Sequence, residues 1–82
     1  MLFRSEINSR VADAAARVAA VRAAFSGRAT TDELDGVTFT GDGWWFNLRS
    51  SNTEPLLRLN VEASSPQAVK ALVDEVLSIV RS

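Results

Sequence analysis

The chain contains no cysteine and no histidine, and these two absences remove several kinds of chemistry before any motif is considered. Disulfide frameworks, thiol nucleophiles, the usual zinc ligand sets and Ser-His or Cys-His catalysis are all excluded. An excess of one charge is also missing: nine Lys plus Arg stand against ten Asp plus Glu, a formal net charge of −1. The broad basic field expected of a nucleic-acid binder is therefore absent. No apolar run approaches the roughly 20 residues that a membrane span requires, and the first residues lack the charged, apolar and small-residue series of a signal peptide. The expectation is a soluble, cytoplasmic protein with no membrane partner. Eighty-two residues suffice for one small domain with a single modest core, and leave no room for a deep, self-contained cleft.

What is present alternates clearly between strand and helix patterns. Residues 3–11 end in Ile7, Ser9 and Val11 against Asn8 and Arg10, which predicts a short strand with one face inward. Asp13 is a good N-cap for the alanine-rich segment that follows, and Ala14, Val18, Val21 and Phe25 recur at helical spacing until Gly27 ends the helix. Residues 28–35 read as a polar connection. Asp35-Gly36 launches a strand in which Val37 and Phe39 alternate with Thr38 and Thr40, and Gly41-Asp42-Gly43 has the composition of a hairpin turn.

Two further strands agree in pattern. Trp44, Phe46 and Leu48 share one face against Trp45, Asn47 and Arg49. Leu57, Leu59, Val61 and Ala63 likewise oppose Leu56, Arg58, Asn60 and Glu62. In the closing helix Ser65 is the cap, Pro66 suits the first turn, and Val69, Leu72, Val73, Val76, Leu77 and Val80 make one apolar stripe. The order β-α-β-β-β-α predicts an α+β fold. The expected form is a two-layer sandwich of one four-stranded, largely antiparallel sheet with both helices packed on one face.

Between the last two strands lies RSSNTEP, residues 49–55, a run richer in donors than a turn requires. Arg49 offers a planar fork that bonds two phosphate oxygens at once, and such charge-assisted bonds are about twice as strong as neutral ones. Ser50, Ser51, Asn52 and Thr53 add short hydroxyl and amide donors, and successive backbone N–H groups in a tight loop form an anion-binding concavity. Pro55 stiffens the exit and biases Glu54 to an extended shape. Glu54 repels an anion, so its expected role is to orient Arg58, which the strand places on the same side. The plain alternative is a hairpin loop built from ordinary turn residues, with Arg49 at a solvated strand end.

RSSNTEPLLRLNVEA resembles the phosphate-binding loop and following strand of the C-terminal domain of phosphohexomutases, whose motif reads approximately R-x-S-[NG]-T-E-P-x-x-R. SEINSRV, the alanine-rich helix, the DGVTF strand and the last helix follow the order of that domain, so the resemblance covers nearly the whole chain. Asn52, where phosphoglucosamine mutases usually carry Gly, and SEINSRV are similar to the bacterial phosphomannomutase and phosphoglucomutase branch. Ser50 stands where Pro or Ala is common in the family. The resemblance implies that residues 1–82 are one C-terminal domain, a fragment of a larger multidomain isomerase that is inactive alone. It implies that Arg49, Ser51, Asn52 and Thr53, with Ser50 through its backbone and Arg58 as helper, grip the non-reacting phosphate. The partners implied are a mannose or glucose 1- or 6-phosphate, the 1,6-bisphosphate intermediate, and the other domains of the same enzyme.

The departures fit the same expectation. The family's phosphoserine loop includes a His, which this chain lacks, and its metal loop is a run of alternating Asp. Asp32, Glu33 and Asp35 around Leu34 lack that alternation and read as solvated linker. No metal site and no catalytic residue are assigned here; Mg2+ is implied for the full-length enzyme and bound by another domain. Two other readings stand beside this one. A free-standing interaction module would use the open sheet face, with Trp45 as anchor. Single-stranded nucleic-acid binding by Arg and Trp on that face is disfavoured by the charge balance.

Overall fold

Period-two patterning sets most of the architecture, because a strand with one apolar face has to bury that face against another layer. The structure is a computed structural model that describes residues 2–33, 36–51 and 54–81. In chain order its elements are β1 (Phe3–Arg10), α1 (Ala14–Ala24), β2 (Thr30–Asp32), β3 (Val37–Thr40), β4 (Trp44–Ser50), β5 (Leu56–Ala63) and α2 (Pro66–Val80). The strands form one sheet in the order β1-β5-β4-β3-β2, with every neighbouring pair antiparallel. The result is an α+β fold with an open sheet.

The inward faces are those that the alternation predicts. Val37, Phe39, Phe46, Leu48, Leu57, Leu59, Val61 and Ala63 are buried beneath the helices. Each of the larger aliphatic side chains gains about 1.5–3 kcal/mol from leaving water. From α2 come Val69, Leu72, Val76 and Val80, all buried, with Ser65 capping the helix by accepting the Ala68 N–H at 3.1 Å. α1 contributes less: it is capped by Asp13, which accepts the Ala16 N–H at 3.1 Å, but Val21 is its one fully buried residue. Its main anchor is Phe25 at the C-cap, whose ring meets Phe46 edge-on at 5.0 Å and Trp44 at 5.9 Å. The Arg28 guanidinium lies over the Phe25 ring at 4.3 Å from its centre and pairs with Glu75, tying the segment after α1 to α2 at the surface.

One expectation is corrected. Residues 28–35 are not simply a polar connection, because Thr30–Asp32 pairs antiparallel with β3 and makes the sheet five-stranded rather than four-stranded. All three β2 residues are exposed, so no burial pattern announces the strand. Backbone pairing along an edge, two β-branched threonines and a bond from the Thr30 hydroxyl to the Thr40 carbonyl at 3.4 Å hold it instead. Of Asp35-Gly36, expected to launch a strand, Asp35 lies outside the described residues, and Gly36, at φ +68°, immediately precedes β3. The 41–43 hairpin is as expected, with Gly43 at φ +81°.

Candidate functional site

The register of β1, β5 and β4 assembles a row of polar residues on the open face. Arg49 of β4 stands opposite Arg58 of β5, and Arg58 stands opposite Asn8 of β1. Like charges directly opposed on neighbouring strands repel. Arg58 donates its Nε–H to Asn8 Oδ1 at 3.3 Å. Gly36, at the start of β3, flanks Arg49 on its other side. A β-carbon there would lie 2.6 Å from Arg49 Cγ and 2.5 Å from the Leu48 carbonyl oxygen, so only glycine lets the arginine stem pass.

The loop between β4 and β5 is tied at its base. Ser51 donates its N–H to the Leu56 carbonyl at 3.1 Å, and Leu56 returns an N–H to the Glu54 carbonyl at 2.8 Å. The Ser51 hydroxyl accepts the Glu54 N–H at 3.3 Å, a local side-chain turn of the kind serine favours. Pro55, which has no N–H to give, uses its carbonyl to accept from Val11 at 2.8 Å, so the loop is anchored to the end of β1.

Between these elements lies a concavity of about 310 Å³, lined by Asn8, Arg49, Ser50, Ser51, Glu54, Leu56 and Arg58. Four of the sequence-predicted residues therefore border one hollow: Arg49, Ser50, Ser51 and Arg58. Asn52 and Thr53 lie outside the described residues. Ser50 continues the inward face of β4 and also borders a depression beside α1, with Val18 and Leu48, so its side chain is on the helix side of the sheet. Asn8 is the polar residue that the sequence reading missed. Its signal was the strand pairing, since nothing within SEINSRV says that β1 will lie beside β5.

The far end of the open face is organised differently. Glu62, which strand alternation puts on the face away from the helices, is only 8% exposed. It is held by two donors: the Trp45 indole N–H gives to Oε2 at 2.9 Å and Arg4 Nε to Oε1 at 3.1 Å. The Trp45 bond first, and the Arg4 bond second, hold the Glu62 carboxyl below the usual glutamate range. Asn47, in the next row, donates to the Thr38 hydroxyl at 2.9 Å. Trp45 is thus half-buried and engaged with its own sheet, and nothing supports the reading of a free-standing interaction module anchored on it. A depression of about 560 Å³ covers this middle region, bordered by Arg4, Glu6, Trp45, Asn47, Arg49 and Asn60 among others. Arg4 is paired there with Glu62, and Glu6 stands on the rim as Glu54 does at the smaller hollow.

Among the described residues no three carboxylates, histidines or cysteines gather into a group that could hold a metal ion. No helix of the described residues is long and apolar enough to cross a membrane.

Comparison with known proteins gives a consistent result. The profile of a family described as phosphoglucomutase/phosphomannomutase, C-terminal domain, matches residues 6–79. A phosphomannomutase of Salmonella montevideo is 46% identical over 79 residues, which is 94% of this chain and 17% of that protein. A phosphomannomutase of Methanocaldococcus jannaschii is 41% identical over 75 residues, 92% of this chain and 16% of that protein. A protein of Xanthomonas campestris pv. campestris named for phosphohexose mutases is 45% identical over 78 residues, 93% of this chain and 17% of its own length. The chain spans about a sixth of the length of the curated relatives it matches.

Proposed function

The chain belongs to the phosphoglucomutase/phosphomannomutase family as its C-terminal domain, and from that membership we propose that the hollow between β1, β4 and β5 grips the non-reacting phosphate of a hexose phosphate. The observation that carries this reading is the opposed pair Arg49 and Arg58 on the wall of one concavity, with Ser51 at its edge. A phosphate dianion set between two guanidinium groups relieves their mutual repulsion and receives forked, charge-assisted bonds. Ser50 contributes through its backbone, and Asn52 and Thr53 are assigned to the same grip on the family motif.

The role is positional rather than chemical. Binding energy taken from a phosphate remote from the reacting centre orients the sugar, and orientation can lower a barrier substantially. In the whole protein this serves an isomerase that moves a phosphoryl group within a mannose or glucose phosphate, through a bisphosphorylated sugar. The nucleophile and any Mg2+ belong to other domains of the same enzyme, so residues 1–82 bind without turnover. Hinge motion of this domain opens and closes the cleft while the intermediate reorients.

The test is a chemical-shift titration of the chain with glucose 6-phosphate and mannose 6-phosphate. The amides of Arg49, Ser50, Ser51 and Glu54 are expected to move at millimolar ligand, an affinity of about 4 kcal/mol. Saturating sugar phosphate that leaves these amides still while perturbing another surface overturns the reading.

A further inference from the structure

The strands β1 and β5 hold two arginines in two chemically different ways. At one end of the pair, Arg4 is bound by the carboxylate of Glu62, which neutralises it. At the other end, Arg58 gives its Nε–H to the amide oxygen of Asn8, which leaves its charge intact. A guanidinium has five N–H donors in a fixed plane, and a bond at Nε fixes that plane while leaving the terminal nitrogens to meet an oxyanion. A carboxylate at position 8 would hold the arginine equally well but place a negative charge on the wall of the hollow.

We propose that Asn8 is a positioning residue of the anion site: it holds the Nε edge of Arg58 so that the terminal nitrogens of that guanidinium face the concavity, and, being neutral, it adds no second carboxylate to a wall that already carries Glu54. Asn8 borders the same hollow as Arg49, Ser51 and Arg58, and stands directly opposite Arg58 in the register. The inference rests on the phosphate reading above and assigns to it a residue outside the 49–58 motif.

The experiment titrates the chain, and the variants Asn8→Ala, Asn8→Asp, Arg58→Ala and Asn8→Ala/Arg58→Ala, with glucose 6-phosphate while observing backbone amides and the Arg58 Nε–H resonance. Asn8→Ala is expected to weaken binding about threefold to tenfold, the range of one ordinary hydrogen bond, and to shift or broaden the Arg58 Nε–H signal even without ligand. In the Arg58→Ala background the same change should have no further effect, because Asn8 acts through Arg58. Asn8→Asp is expected to keep the Nε–H signal in place and still weaken binding. Asn8 is exposed on the sheet, so these variants retain the fold, and the amide spectrum verifies it. Binding by the unmodified chain that Asn8→Ala leaves unchanged, or additive losses in the double variant, overturns the role of Asn8 alone. No movement of the Arg49 to Glu54 amides in the unmodified chain overturns the phosphate reading and this inference together.

Discussion

Arg49 and Arg58 face one another across adjacent antiparallel strands, on the side of the sheet that the helices leave open. Two like charges so placed repel one another, and an anion bound between them would relieve that repulsion. Phosphate should therefore stabilise the chain beyond its ionic strength. At twenty times a millimolar dissociation constant, linkage gives about 1.8 kcal/mol, which for a domain of this size is a rise in Tm of roughly 7–14 °C. Thermal unfolding in phosphate against chloride at matched ionic strength measures it. Equal melting temperatures in the two salts would remove the anion site.

Arg49 supplies geometry as well as charge. Arg49→Ala should lose roughly 1.5–3 kcal/mol of phosphate affinity, the range for a bond to a charged group. Arg49→Lys should recover only part of it, because an ammonium cannot make the forked contact. A lysine variant that binds as tightly as the arginine would show that the fork is not used.

The two glycines at positive φ near α1 and β3 separate backbone strain from crowding. Gly27, at φ +81°, has nothing within 4 Å of where a β-carbon would stand, whereas at Gly36, at φ +68°, that carbon would meet the Leu48 carbonyl and Arg49 Cγ. Gly27→Ala should cost about 1–2 kcal/mol, the left-handed penalty alone. Gly36→Ala should cost more, and should also weaken phosphate binding because it displaces the Arg49 stem. Urea unfolding of both variants gives the comparison; equal losses would mean that the contact at Gly36 relaxes freely.

How much of this was written in the sequence depends on whether a residue's environment is local. β4, β5 and α2 are legible because their burial follows a fixed period, and Phe46, Leu59 and Val76 lie where that period puts them. β2 is not, because Thr30, Thr31 and Asp32 bury nothing and pair only through their backbone. Arg49, Ser50, Ser51 and Arg58 are near in the chain and were legible as a group, whereas Asn8 joins them only through the β1 and β5 pairing. The burial of Glu62 was not legible for a related reason: strand alternation places it on the open face, and only the cross-strand neighbours Trp45 and Arg4 make that position a buried one.

Glu62 makes the stability of the sheet depend on pH in a definite direction. Its folded pKa is lowered, chiefly by the Trp45 indole N–H and then by Arg4, so the carboxylate favours the folded state. That contribution is present in full above the usual glutamate value of 4.5 and is lost as pH falls through the lower folded value. Glu75, held down by Arg28, titrates in the same direction, so unfolding curves alone cannot separate the two. The Trp45 indole N–H resonance can, because it donates to Glu62 and to no part of the Arg28–Glu75 pair. It should shift in one step below pH 4.5, and in Glu62→Gln that step should vanish while the acid loss due to Glu75 persists. An indole signal that titrates at or above the ordinary glutamate value would mean that the two donors do not hold Glu62 in solution.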